Sequence, residues 1–563
     1  MIKMNIWGAW SSREFQNLIQ THYPGLLSRL EYILPGLLGE EFLIDNLYTG
    51  ASLQKVVEAF LPSDAFTSKE FRQECLNKLQ PDELRNAASH TTIGNRGDFS
   101  STRDAIANYP WKGDFSAKFV EFFDLPDHFL PAPDVNKPNS IEVQPATKDH
   151  PIQIDSPFMQ LIDYQFGVYS ESMQSLSQPK ARMVIQMPTG SGKTRTAMEI
   201  VSNILNSKGD SEEVIPDINV VWLAHTRELC EQGLQCFKQV WPHHAKKKVR
   251  IHRCWGKHPL SIPVSGSSNI FFAGFDKLNA ALKKNEYCLE SIRTDCRLIV
   301  VDEAHKTEAP TYKNAILSLL GNDTAVVGLT ATPGRTYKEE TESLANFYFG
   351  RLIELPDTHG DGVIAMLRNR GVLSKADYRA IMTEIDVPLT NADKKYMEEK
   401  FKIPPKIIKM LANEDQRNLE ILQRLRAEVK EGRRVLLFGC SVEHSRFLNS
   451  CLLYLGLNTG HVDGSTNLAR RTMLIDGFRN GNLDVLCNYG VLTTGFDAPK
   501  TNTIMITRPT ISPVLYSQMI GRGLRGPLIG GTEFCKIIDV RDNIGEFGDA
   551  DSVYRIFEDY WVN

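Results

Sequence analysis

The chain has 563 residues, 42% hydrophobic and 23% charged, ordinary values for globular domains with real cores, and its length suggests about three such domains. The formal net charge of −4 excludes a generally basic chain, so any surface for a polyanion must be local. The ten cysteines form no C-x-x-C pair, which argues against a zinc ribbon and suits buried thiols in a reducing compartment.

At the N-terminus, Met1 to Trp10 carries a lysine but no sustained apolar core, so no signal peptide is expected. No apolar run approaches the roughly 20 residues of a membrane span, and a cytoplasmic protein is expected. Residues 1–125 are expected to form a helical domain. Leu53, Val56, Val57, Phe60 and Leu61 recur at the spacing of one helical face, and Pro62 then stops that helix. Phe71, Cys75, Leu76 and Leu79 predict a second helix close behind. Such stripes make a small core; a partner-binding module is the alternative. From Leu125 to Pro157 prolines crowd in at 126, 131, 133, 138, 145, 151 and 157, and an extended linker is expected over 126–151.

Beyond it, short apolar runs alternate with amphipathic helices. The first series is Met183–Met187, Val220–Ala224, Ile270–Gly274, Leu298–Asp302 and Ala325–Leu329; the second is Val435–Gly439, Asp484–Asn488, Thr503–Thr507 and Lys536–Val540. Continuous apolar strands between helices indicate parallel sheets covered on both faces. The fold class is therefore α/β, with two parallel-sheet domains in tandem over 152–345 and 346–563.

Residues 187–194, Met-Pro-Thr-Gly-Ser-Gly-Lys-Thr, follow a predicted strand and open a predicted helix, the setting a P-loop requires. Thr189, Gly190, Ser191 and Gly192 would turn backbone N–H groups toward phosphate oxygens, helped by the positive helix end. Lys193 would reach the β- and γ-phosphates of ATP, and Thr194 would offer a hydroxyl to Mg²⁺. The strict pattern has Gly or Ala where Met187 stands. Residues 298–305, Leu-Ile-Val-Val-Asp-Glu-Ala-His, bring two carboxylates to the end of a buried strand. Asp302 would hold Mg²⁺ and Glu303 would orient and deprotonate the attacking water. A helix cap explains one acid there better than two.

Four motifs occur in one order: PTGSGKT with Lys193, DEAH at 302–305, Gly-Leu-Thr-Ala-Thr-Pro at 328–333, and Gln-Met-Ile-Gly-Arg-Gly-Leu-Arg at 518–525. In this the chain resembles superfamily 2 helicases, which implies two RecA-like domains. The finer resemblance is to the group of RadD-like helicases, XPB-type repair helicases and type I and III restriction motors. Leu-Ala-His-Thr-Arg-Glu-Leu at 223–229, Val-Leu-Thr-Thr-Gly-Phe-Asp-Ala-Pro at 491–499 and Tyr-Ser-Gln-Met-Ile-Gly-Arg-Gly-Leu-Arg at 516–525 carry it. The resemblance implies that His305 completes the catalytic set and that Thr330 and Thr332 couple hydrolysis to domain movement. It makes Gln518 a nucleotide sensor, makes Arg522 and Arg525 arginine fingers, and lines the same cleft with Gly495 and Asp497. A planar guanidinium matches the charge gathering on a phosphoryl transition state.

Nucleic-acid contacts are expected from His225, Thr226, Arg227, Gly274 and Lys277 in the first α/β domain. In the second they are expected from Ser441, Val442, His444, Thr493 and Thr494, by backbone groups, hydroxyls and a few cations that track phosphates. Lys246, Lys247, Lys248 and Arg250 are taken as a solvated turn, and His243 and His244 lack metal-ligand spacing. Relatives carry Leu-Arg-Pro-Tyr-Gln before the P-loop for adenine; here residues 161–165 are Leu-Ile-Asp-Tyr-Gln, keeping Gln165 but not the arginine. RadD-like proteins add a cysteine-rich C-terminal extension, for which there is no room after the last motif; its contribution is expected to be absent or supplied elsewhere, with residues 1–150 as the candidate.

The expected function is an ATP-dependent DNA helicase or translocase using ATP and Mg²⁺, on single-stranded, duplex or forked DNA, in repair, restriction or phage defence. RNA as the track is one alternative. Another is an ATPase switch whose residues 1–150 dock a nuclease or other defence effector.

Overall fold

In the computed structural model, which describes residues 3–39, 41–93, 97–131, 138–143, 160–207, 216–284, 286–332, 338–356, 362–383, 385, 387–400, 402–493, 498 and 500–542, the apolar runs become strands of two separate sheets. The first contains β1 (Ser140–Val143), β2 (Arg182–Gln186), β3 (Asn219–Ala224), β4 (Val249–Cys254), β5 (Ser268–Gly274), β6 (Cys296–Asp302), β7 (Ala325–Thr330) and β8 (Leu352–Ile353). Its order is β1-β4-β5-β3-β6-β7-β2-β8. Every residue of β3 and β5 is buried, as strands covered on both faces require. The order places β7 between β2 and β6, with Gln186 opposite Thr330 and Asp302 opposite Leu329. The P-loop and the acid pair therefore leave the same edge of the sheet, one strand apart.

The second sheet contains β9 (Lys375–Met382), β10 (Val435–Phe438), β11 (Thr459–Val462), β12 (Val485–Asn488), β13 (Thr503–Ile506) and β14 (Phe534–Arg541). It is parallel throughout, in the order β11-β12-β10-β13-β14-β9. Arg417 is fully buried beneath it. Its guanidinium donates to both Asp542 carboxylate oxygens at 2.7 Å and to the Thr507 carbonyl at 2.6 Å, tying a helix to the ends of β13 and β14.

The expected helical region is present, with the periodic stretch forming the helix Gly50–Phe60 and the next forming Lys69–Leu76. Thr49 caps the former by accepting from the Ser52 N–H, and the chain leaves it at Leu61 and Pro62. These helices do not form an isolated core. Leu30, Ile33 and Leu34 join one hydrophobic cluster with Ile421, Leu422 and Leu425 of the helix Asp415–Lys430, and with Leu448 and Cys451 of the helix Val442–Tyr454. The Phe60 and Phe447 rings meet at 6.0 Å. Polar contacts rim this seam: Arg29 pairs with Asp415 at 2.7 Å, and the Gln423 amide donates to the Gly36 carbonyl at 3.0 Å. The N-terminal region is thus packed onto the second α/β domain.

Two sequence boundaries need correction. The stretch expected as a linker contributes β1, which adds antiparallel to the edge strand β4. Arg250 of β4 pairs with Glu142 of β1, and Arg253 donates to the Pro138 carbonyl at 2.8 Å, so extended backbone favoured by prolines is here held on a sheet. Residues 132–137 and 144–159 lie outside the described residues. The first sheet also reaches past residue 345, because β8 pairs with β2. No helix among the described residues is long and apolar enough to cross a membrane.

Phe60→Ala removes a buried ring from the seam and is expected to cost about 3–5 kcal/mol. A lowered melting temperature for the unfolding step that includes the second sheet checks this. An unchanged melting temperature would mean that the seam contributes nothing to stability.

Candidate functional site

The loop expected to bind phosphate begins where β2 ends. The Met187 N–H donates to the Thr330 carbonyl at 3.0 Å, and the loop then runs through Gly192 into the helix Lys193–Leu205. Gly192 has φ +89°, and a Cβ there would lie 2.1 Å from Gln165 Nε2, so only glycine fits. Gln165 props the loop from behind: its Oε1 accepts from the Ile162 N–H at 3.0 Å and its Nε2 donates to the Ser191 carbonyl at 3.0 Å. Tyr164, for which no role was expected, donates its hydroxyl to the same carbonyl at 2.8 Å.

Asp302 ends β6, and its Oδ1 accepts from the Glu303 N–H at 3.0 Å. Glu303 has φ +56°, a left-handed conformation that costs a non-glycine residue energy and recurs at functional sites. Both carboxylates are buried. Burial pushes Asp302 up to about 7, and the neighbouring charge of Glu303 pushes the same way. For Glu303 burial also acts upward, but the positive charges of Lys193, His305 and Arg522 outweigh it and hold the group down to about 2. His305 lies 3.4 Å from Glu303 and 3.1 Å from the Thr330 hydroxyl. That hydroxyl donates to the Thr332 carbonyl at 2.7 Å and accepts from the Thr332 N–H at 3.1 Å. With its proton committed to the carbonyl, Thr330 accepts from His305 Nδ1–H. An ion pair and hydrogen bonds thus link Glu303 through His305 and Thr330 to the end of β7.

The second domain closes onto this edge. Gly521 faces the P-loop so closely that a Cβ would stand 2.6 Å from Thr189 Cβ. Gly190 is approached by Leu373 and by the side-chain stem of Arg525. Arg522 is only 7% exposed; its Nε donates to the Thr493 carbonyl at 2.9 Å, and its charge acts on both Asp302 and Glu303. Gln518 is also buried, one helical turn before it. A second link crosses the cleft, the ion pair of Arg471 with Glu228 of the 223–229 motif; Arg471 itself stands in no motif.

The family model for the Type III restriction enzyme res subunit matches residues 158–335, and that for the helicase conserved C-terminal domain matches residues 417–526. The chain belongs to helicase superfamily 2. Among curated relatives, "Putative ATP-dependent helicase IRC3" of Saccharomyces cerevisiae is 29% identical over 388 residues, 67% of this chain and 51% of that protein. "Putative mitochondrial ATP-dependent helicase irc3" of Schizosaccharomyces pombe is 27% identical over 391 residues, 69% of this chain and 58% of that one. This superfamily 2 chain therefore spans little more than half the length of either relative. The solved "fragment structure of a putative HsdR subunit of a type I restriction enzyme from Vibrio vulnificus YJ016" aligns at 19% identity, covering 71% of this chain and 68% of that one with a TM-score of 0.47, too loose a likeness to add to the domain matches.

The loops expected to meet nucleic acid leave the C-terminal ends of β3, β5 and β10, but not all their side chains are available. Thr226 caps the helix Arg227–His244, accepting from the Leu229 N–H at 3.2 Å, and leaves Arg227 exposed. Gly274 is buried at the start of the helix Phe275–Lys283, and Lys277 is half-buried one turn on. His225 is turned toward the acid pair: Lys306 Nζ lies 2.5 Å from its Nε2, and burial and Lys306 push it down to about 3. Ser441 caps its helix by accepting from the His444 N–H at 3.1 Å. His444 itself is only 2% exposed, accepting from the Cys440 N–H at 3.2 Å and bonded to Asn418 at 2.8 Å, so it is a structural group and not a surface contact. Thr493 uses its carbonyl on Arg522, while Thr494, Gly495 and Asp497 lie outside the described residues.

Gly521→Val keeps an ordinary helical backbone but drives a side chain into Thr189. Binding of a non-hydrolysable ATP analogue is expected to survive, while turnover falls by about 10²-fold because the cleft cannot close. Wild-type turnover in this variant would show that the contact is not part of the working state.

Proposed function

We propose that the chain hydrolyses ATP between its two RecA-like domains and uses the cycle to move along, or separate, DNA strands. The observation that carries this is the split site: Lys193, Asp302 and Glu303 belong to one domain, and Arg522, whose charge acts on the same acids, to the other.

In this reading Lys193 and the loop N–H groups hold the phosphates. Gln165 still has one amide hydrogen and one carbonyl lone pair free of the contacts described, enough for an adenine edge without the missing arginine. Thr194 and Asp302 would hold Mg²⁺, a donor set of one hydroxyl and one carboxylate that suits a cation completing its shell with phosphate and water. That ion would supply charge neutralisation on the phosphates. The buried negative charge of the acid pair fits a cation there. Glu303, held ionised, is the base that orients and deprotonates water. Arg522 meets the charge that develops on the transferring phosphoryl group, and Arg525, leaning on Gly190, is placed to follow. The link from His305 through Thr330 to Thr332 would pass the state of the acid pair to the domain boundary.

The match of the first domain to the restriction res-subunit model supports DNA as the track. Assembly with an effector through residues 1–150 is less favoured, because those helices bury their apolar face on the second domain.

The test is ATP hydrolysis with no nucleic acid, single-stranded DNA, duplex DNA, forked DNA and RNA, alongside Lys193→Ala and Glu303→Gln. Stimulation by a DNA form is expected, with each variant folded and slowed by about 10²–10³-fold or more. Retained turnover in Glu303→Gln would refute the site; stronger stimulation by RNA would move the track to RNA.

A further inference from the structure

The loop that leaves β3, residues 225–228, touches three parts of the molecule. Arg227 faces solvent. Glu228 pairs with Arg471 of the second domain. His225 turns inward, with its Nε2 2.5 Å from Lys306 Nζ. An ammonium group can only donate, so the imidazole nitrogen accepts. Burial and the charge of Lys306 hold His225 down to about 3, which leaves its ring neutral and able to do so.

Lys306 closes the short turn Ala304–Lys306 that follows the acid pair. Its backbone N–H donates to the Glu303 carbonyl at 3.0 Å. One residue thus holds Glu303 by the main chain and the loop after β3 by the side chain. The neighbouring His305 reaches the other way, to Thr330 at the end of β7. Glu303 itself stands at φ +56°, a conformation that persists only where its surroundings impose it. Simple packing is a poor account of Lys306. It is half-buried, and a cation drawn out of water beside an imidazole is costly where an apolar stem of the same length would fill the space. What the lysine adds is a directed contact.

We propose that Lys306, acting through His225, is a positioning residue that sets Glu303 according to the state of the loop 225–228. The proposal rests on the motor function above and names the contact by which the track reaches the catalytic base. A ligand on Arg227, or a second domain drawing on Glu228, shifts the loop and with it His225. The pull passes through the Lys306 side chain to its backbone, and from there to the Glu303 carbonyl. A misplacement of about 1 Å can change a rate by about 10²-fold, so a small shift suffices. In this role Lys306 meets neither phosphate nor strand.

The test uses the full chain and ATP hydrolysis with and without saturating nucleic acid. The probe is an oligothymidylate, a DNA duplex or an oligouridylate, whichever stimulates the wild type most. Lys306→Met keeps the stem and removes the donor; Lys306→Arg keeps a donor. In Lys306→Met, unstimulated turnover, the KM for ATP and the Kd for the labelled probe, read by anisotropy, should stay within about twofold of wild type, while stimulated kcat falls about tenfold or more. Lys306→Arg should recover most of the stimulation. His225→Leu should lose it as well, and the double variant should be no worse than either alone, as for two groups that act through each other. Full stimulation in Lys306→Met overturns the proposal, as do additive losses in the double variant. Equal loss with and without the probe would make Lys306 a support of the fold only, and a probe Kd that rises as far as stimulation falls would make it a contact; either result also overturns the proposal. In all these cases the motor function stands. If no probe stimulates the wild type, both fall.

Discussion

Two carboxylates at the end of β6, side by side and out of water, are the constraint on which the site depends. Neighbouring buried charges of one sign cannot both persist without cations close at hand. One such cation, Lys193, comes from the loop after β2, which the strand order brings beside β6 with only β7 between. The other, Arg522, comes from a different domain. Separation of the domains removes that second charge and leaves the acid pair less compensated. Electrostatics and domain position are thus two aspects of one equilibrium, and a bound nucleotide, bringing its own charge, acts on both.

That equilibrium has a mechanical partner in the N-terminal helices. Their core is continuous with the helices that cover the second sheet, so the moving body is the second domain together with its helical cap. The ion pair Glu228–Arg471 and the close approach of Gly521 to Thr189 bridge this body to the first domain at two separate places. Closure would therefore be registered at the proposed nucleotide site and near the loop that leaves β3. The helix pair Asn391–Lys400 and Pro405–Asn413 extends the same body over the C-terminal edge of the second sheet.

The proposed nucleotide site was legible in the chain because phosphate chemistry demands particular residue types at short, fixed spacings, as in Gly192-Lys193-Thr194 or Asp302-Glu303. The two-sheet architecture was legible because strands buried on both faces read as apolar runs. What escaped was whatever depended on partners distant in sequence. β4, Val-Arg-Ile-His-Arg-Cys, mixes cations into its run because Glu142 of β1 and Glu231 receive them. β9 is an edge strand with mostly exposed side chains, so its pattern is polar. The stripe of Leu53, Val56 and Phe60 announced an apolar face but not that Phe447 would cover it. His444 stood where a nucleic-acid contact is expected, yet Asn418 and the Cys440 backbone take both ring nitrogens inside the domain.

The most direct measurement is the turnover of Arg522→Ala set against its affinity for a non-hydrolysable ATP analogue. If the second domain completes the site, affinity changes little while DNA-stimulated turnover falls by about 10³-fold or more, as expected for a lost arginine finger. Turnover within a few-fold of wild type, with DNA still bound, would contradict the split site and with it the proposed coupling of hydrolysis to domain closure.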